Sequence, residues 1–208
     1  LLQEKIVEEK LYFSIPLYQR LFSWGEEQIK GLLYDLKNHF ETTRDDTPYY
    51  LGMLSCIKSG NQYDLIDGQQ RFTVMTLFAI VLRNYYKEWN GFLDDGKRLK
   101  FVSRTKDNEY LAAVINRQPD VLDPNRKMDE AVKFISDFMI SQFPSNDLRE
   151  KYAQNIYHRM SFFFSELPDS YANNPASLNK YFEAMNAGGK GLEQHEVLKV
   201  MLMRGEDN

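Results

Sequence analysis

The sequence predicts an α+β fold with a small mixed sheet, and three observations point there. Short apolar runs rich in β-formers cluster in the first third of the chain, whereas 3.6-residue apolar periodicity dominates the rest. Prolines at 119, 124 and 144 cut the later helical pattern into separate segments. No internal repeat is present. Residues 1–9 form a charged helical lead-in, and residues 11–15 (L-Y-F-S-I) form a strand that stops at Pro16. Residues 26–40 place Ile29, Leu32, Leu33, Leu36 and Phe40 on one helical face, with Ser23 or Gly25 available as the cap. Residues 49–58 and 62–66 are strands joined through S-G-N into a hairpin. Residues 70–89 read as one long helix, apolar around most of its circumference and therefore buried. A short strand over 97–102 follows, then helices up to Arg159, a strand over 161–167 ended by Pro168, and helices over 176–187 and 193–203. The expected organisation is a nucleotide-binding core over 1–95, with a mainly helical part over 96–208 packed on it and completing the same domain.

Composition narrows the function classes. The 208 residues are 43% hydrophobic, enough apolar surface to offset the entropy of ordering and to exclude a disordered chain. The net charge of −4 argues against a small, wholly basic nucleic-acid binder. A single cysteine, Cys56, leaves no intrachain disulfide, which fits the cytoplasm, and its apolar strand context makes it a buried small hydrophobe. No apolar run approaches the roughly 20 residues that span a bilayer, so no membrane partner is expected. The chain starts on Leu1 and ends soon after a helical pattern, which reads as a piece of a longer protein. His39, His158 and His195 sit in no metal-ligand spacing. Gly188-Gly189-Lys190-Gly191 follows a helix and not a strand, so it is read first as a helix stop.

Three segments carry candidate chemistry. In I-D-G-Q-Q-R-F-T (residues 66–73) a strand ends, Asp67-Gly68 turns and a helix begins. Asp67 or Gly68 can be the N-cap, with Asp67 and Gln70 at capping-box spacing. The helix start attracts phosphate, and Arg71 in the first turn opposes the dipole unless it meets an anion. An ordinary strand–turn–helix with Arg71 paired to a carboxylate satisfies the same residues. In P-L-Y-Q-R-L-F-S-W (residues 16–24) large aromatics interleave with Gln19 and Arg20, which suits either a packed loop or a second phosphate-facing arginine. In residues 182–199 Asn186 closes a helix, glycines turn the chain, and Glu196 and Lys199 share the next helical face. A basic stretch with Lys97, Arg98, Lys100, Arg104 and Lys106 is either a DNA-backbone contact or a solvated, charge-balanced face.

Taken together, P-x-Y-Q-R-x-F-x-W, D-G-Q-Q-R and F-x-x-x-N-x-x-G-x-x-L-x-x-x-E-x-x-K resemble the N-terminal, GmrS-like domain of GmrSD-type modification-dependent restriction proteins of bacterial anti-phage defence. The resemblance runs from about residue 13 to 203. It implies a ParB- and sulfiredoxin-like core in which Gln19-Arg20 and Asp67-Gly68-Gln69-Gln70-Arg71 form a nucleotide phosphate site. It further implies a nucleoside triphosphate with Mg²⁺, hydrolysed to regulate cleavage of modified double-stranded DNA by a nuclease domain outside this chain. The expected catalytic residues are Asp67, Arg71 and Glu196, with Asp67 the Mg²⁺ ligand. The expected nucleotide-binding residues are Gln19, Arg20, Trp24, Gly68, Gln69, Gln70, Arg71, Thr73, Asn186, Lys190 and Lys199. Val74 and Glu193 depart from the family pattern, which commonly has a second threonine at the first position and a Ser or Thr cap at the second. Two other readings use the same residues: a DNA-binding or DNA-nicking module working through the arginine-containing cleft, and a non-enzymatic interaction domain.

Overall fold

The computed structural model describes residues 1–118, 125–172, 177, 178 and 181. The expected helices over 176–187 and 193–203 lie largely or wholly outside them. The elements run α1 (Gln3–Glu8), β1 (Phe13–Ile15), α2 (Glu26–Thr42), β2 (Tyr49–Ser59), β3 (Gln62–Asp67), α3 (Gln69–Leu82), α4 (Trp89–Leu93), β4 (Leu99–Phe101), α5 (Thr105–Ile115), α6 (Arg126–Gln142), α7 (Asn146–Arg159), β5 (Met160–Glu166) and α8 (Asp169–Ala172). The fold is α+β, as expected.

The sheet is mixed, in the order β4-β1-β3-β2-β5. β1 lies parallel to both β3 and β4, and β2 pairs antiparallel with β3 and parallel with β5. The β2–β3 hairpin closes through Gly60 and Asn61, with Gly60 at φ +60°. The two outer strands, β4 and β5, come from the later part of the chain, so the sheet is not confined to the first third.

The buried face of α2 is the predicted one: Ile29, Leu32, Leu33, Leu36 and Phe40 are all buried. Gly25 is its N-cap, and its N–H donates to the Gln28 side chain at 2.9 Å. α3 is central: of its 14 residues all but Arg71 are buried. It packs on β2, α4 and α6.

The helix expected over 70–89 ends early, and a second, short helix begins only at Trp89. α3 ends at Leu82, whose carbonyl accepts from the N–H groups of Tyr85 and Tyr86 (both 2.9 Å), and the chain turns before α4. Trp89 supplies the reason. It is fully buried, packs edge-on against Phe92 and Tyr157 and donates its indole N–H to Ala153 O at 3.2 Å. Packing of this aromatic group outweighs the continuous local pattern. Pro144 separates α6 from α7, where the Ser145 hydroxyl caps the Leu148 N–H.

Neighbouring parallel strands deliver the two sequence motifs to one place. β1 and β3 leave the sheet at the same end, so the loop after β1 (residues 16–24) meets the turn between β3 and α3. Ligands commonly bind beyond the carboxyl ends of parallel strands.

Candidate functional site

Two bulges shape the β3–α3 turn. The β2–β3 register steps from Cys56↔Leu65 to Ser55↔Asp67, leaving Ile66 without a ladder partner. The Ile66 carbonyl is taken by Gln19, whose Nε2 donates to it at 2.7 Å. Gly68 follows in the left-handed conformation at φ +88°. A Cβ there would stand 2.5 Å from Met53 O and 2.6 Å from a Leu54 methyl, so only glycine fits both the angle and the space.

Gly68 is the N-cap of α3 and has no side chain to cap it, and the first turn contains no acid. The first helical bond runs from the Phe72 N–H to Gly68 O (2.9 Å), so the amides of Gln69, Gln70 and Arg71 precede it. The expected capping box between Asp67 and Gln70 does not form. Asp67 is the last residue of β3, and Gln70 turns to the loop after β1. Gln70 Oε1 accepts from the Ser23 N–H at 2.9 Å and Nε2 donates to Leu21 O at 2.9 Å.

The Asp67 carboxylate instead meets Arg71, at 3.2 Å from Nη2. The same Nη2 donates to Met53 O at 2.9 Å. Arg71 Nε is buried and has no partner among the described residues. Gly52, at φ +130°, lets this guanidinium pack against the β2 backbone, since a Cβ there would lie 3.0 Å from Nε. Gly52 adjoins the second bulge, in the β2–β5 pairing, where the register skips Leu51. Sequence reasoning missed Gly52 and the Met53 carbonyl. The signal was available, because a lone glycine inside a strand pattern marks a bulge or a close approach.

The other expected residues divide. Gln19 and Gln70 are buried and hold the loop of residues 16–24 against the turn. The Arg20 side chain is exposed and makes no hydrogen bond or ion pair with the described residues. Tyr18 and Phe22 are buried, and Trp24 is half-buried against the main core, so the loop's aromatics serve packing. Gln69 is 6% exposed. Thr73 is buried and bonds back to Gln69 O at 2.8 Å, so its hydroxyl is used within the helix. Asn186, Lys190, Glu196 and Lys199 lie outside the described residues.

The basic stretch is not one solvated face. Arg98 is 3% exposed and donates to the carbonyls of Phe92 (2.8 Å), Ile6 (3.2 Å), Leu11 (2.6 Å) and Gly91 (3.2 Å). Arg104 donates to the carbonyls of Leu17 (3.3 Å), Gln19 and Arg20 (3.4 Å), clamping the loop from its other side. Burial pushes both guanidinium pKa values down, with Asp94 opposing the shift at Arg98 and Asp107 opposing it at Arg104. Cys56 is fully buried, as its strand context predicts, and desolvation holds its thiol well above the ordinary cysteine range. Among the described residues no three His, Cys, Asp or Glu side chains gather as a metal site, and no helix is long and apolar enough to cross a membrane.

The family model described as the GmrSD restriction endonuclease, N-terminal domain, matches residues 2–203. The chain belongs to this family. A GmrSD N-terminal domain has its role in a restriction system, and the turn between β3 and α3 carries the D-G-Q-Q-R stretch within that matched span. A search of the curated proteins finds no match.

Proposed function

We propose that this GmrSD N-terminal domain binds a nucleoside triphosphate with Mg²⁺ at the β3–α3 turn. Hydrolysis there regulates cleavage of modified, phage-type double-stranded DNA by a separate nuclease domain. The observation that supports this reading most is Arg71. Its Nη2 is engaged by Asp67 and Met53, its Nε is buried without a partner among the described residues, and Gly52 lets the guanidinium pack directly against the β2 backbone. Beside it stand the first amides of a 14-residue helix, which has glycine at its N-cap, no side-chain cap among the described residues and no acid in its first turn. A phosphate satisfies both the amides and the guanidinium. Arg20, exposed on the adjoining loop, supplies a second cation.

Asp67 has the second role. Mg²⁺ commonly takes one or two carboxylates and completes its shell with phosphate oxygens and water. One carboxylate at the end of β3, 3.2 Å from the phosphate-binding arginine, fits that donor set. When bound, Mg²⁺ neutralises phosphate charge; Asp67 would hold it or orient the attacking water. Glu196, on the C-terminal helix pattern of the sequence, is the next candidate for the catalytic role.

The test is phosphate release on Asp67→Asn, alongside melting and nucleotide titration. The variant should fold, bind nucleotide within several-fold of wild type and lose most hydrolysis. Wild-type turnover by Asp67→Asn would remove Asp67 from catalysis. Absence of nucleotide binding by the wild-type chain would overturn the function.

A further inference from the structure

We propose that Arg104, which belongs to none of the three motif segments, is a positioning residue for the phosphate site. It fixes the backbone that carries Arg20, so that this exposed guanidinium stands ready beside the β3–α3 turn. The inference rests on the triphosphate reading above and adds to it the group that preorganises its second cation.

Residues 16–24 lie between β1 and α2 and belong to neither. Their backbone polar groups must be satisfied by something other than a ladder or a helix. Side chains do much of this. Gln19 Nε2 donates to Ile66 O at 2.7 Å, one residue before Asp67. Gln70, one residue before Arg71, donates to Leu21 O and accepts from the Ser23 N–H, both at 2.9 Å. The two chain neighbours of Arg20 are thus tied to the two sides of the turn, and the Arg20 backbone is held between them.

Arg104 completes the brace. Its Nη2 donates to Leu17 O (3.3 Å) and to Gln19 O, and its Nη1 donates to the carbonyl of Arg20 itself (3.4 Å). Three carbonyls within four residues suit the planar fork of an arginine. The chain gives up stability to place Arg104 there. Ser103 before it is left-handed at φ +57°. Arg104 is the N-cap of α5, where a cation opposes the helix dipole. Burial pushes its pKa down, with Asp107 opposing the shift. An arginine held against strain, dipole and desolvation is spent on one loop, and the one charged side chain of that loop is Arg20. Fixing the backbone of a binding cation in advance removes part of the ordering cost of binding.

Calorimetric titration of the whole chain with ATP and with GTP, each with Mg²⁺, tests the assignment in a double-mutant cycle. Arg20→Ala should weaken the better-bound nucleotide about tenfold. Arg104→Ala should weaken it about fivefold, the ordering cost of one long side chain. The double variant should bind no more weakly than Arg20→Ala alone, whereas the losses from Arg104→Ala and Arg71→Ala should multiply. A merely structural role gives the same loss with or without Arg20. That result, or an Arg104→Ala affinity equal to wild type, would overturn the proposal. Arg104→Lys keeps the charge without the fork and should stay weakened; wild-type affinity there would overturn the proposal too. Trypsin digestion reads the loop without any ligand. Cleavage after Arg20 should rise several-fold in Arg104→Ala relative to cleavage after Lys58, exposed on the β2–β3 hairpin, and an unchanged ratio would overturn the proposal. If wild type binds neither nucleotide while that ratio rises, the triphosphate reading falls and the ordering of the loop by Arg104 stands. If Arg104→Ala does not fold, Arg104→Lys carries the cycle and the digestion, with the same outcomes deciding.

Discussion

Arg71 and Arg98 are both arginines beside short strands, and the fold uses them in opposite ways. Arg98 spends its guanidinium on four carbonyls of α1, α4 and the segments beside them, with the Tyr12 ring 5.0 Å from its centre. Among the described residues Arg71 hydrogen-bonds only through Nη2, is half-buried and leaves Nε without a partner. A guanidinium whose donors are consumed by the protein's own backbone is a strut. One with donors left over, beside helix amides that no side chain caps, is suited to a ligand. The number of donors left over separates the two, and net charge along the sequence does not reveal it.

The contrast is broken most severely at the strut. Arg98→Ala should destabilise the domain by about 4 kcal/mol, because it strands several buried carbonyls at roughly 1–3 kcal/mol for an unsatisfied group. Thermal melting should show a fall of around 10 °C for a chain of this size. A melting point within about 2 °C of wild type would show that Arg98 is not a strut. Gly68→Ala comes next. It forces a left-handed angle and a contact at 2.5 Å, and about 2–3 kcal/mol of stability should be lost. Arg71→Ala should melt within about 1 kcal/mol of wild type, since a partly exposed pair contributes little. Asp67→Ala and Asp67→Asn should melt alike within about 0.5 kcal/mol, because the Asp67 side chain caps no helix. A cap-sized gap of about 1 kcal/mol between them would restore the capping role. The smallest effect concerns Cys56. Its buried thiol, shifted upward by desolvation, should resist alkylation at pH 8 until the chain unfolds.

Much of the fold was legible because its elements obey local rules. The face of α2, the S-G-N turn and the break at Pro144 each follow from periodicity, turn chemistry or a missing N–H. The end of α3 was not legible, because Trp89 leaves the helical line to reach Tyr157, a contact 68 residues away in the chain. At the site, the position of Arg71 and the need for Gly68 could be read from D-G-Q-Q-R. The roles of Gln19 and Gln70 could not. Both are polar residues in motif segments and both proved to be backbone clamps, to Ile66 and to Leu21 and Ser23, a distinction that depends on which strand lies beside which. The split within the basic stretch was hidden for the same reason, since Arg98 and Arg104 differ from their lysine neighbours only once β4 is docked at the sheet edge.

Calorimetric titration of the wild-type chain and Arg71→Ala with a nucleoside triphosphate and Mg²⁺ tests the central claim most directly. Removing one charge-assisted hydrogen bond to phosphate, at about 1.5–3 kcal/mol, predicts an affinity about 10- to 100-fold weaker in the variant with its melting point nearly unchanged. Equal affinities for the two proteins would contradict the assignment of Arg71 to the phosphate.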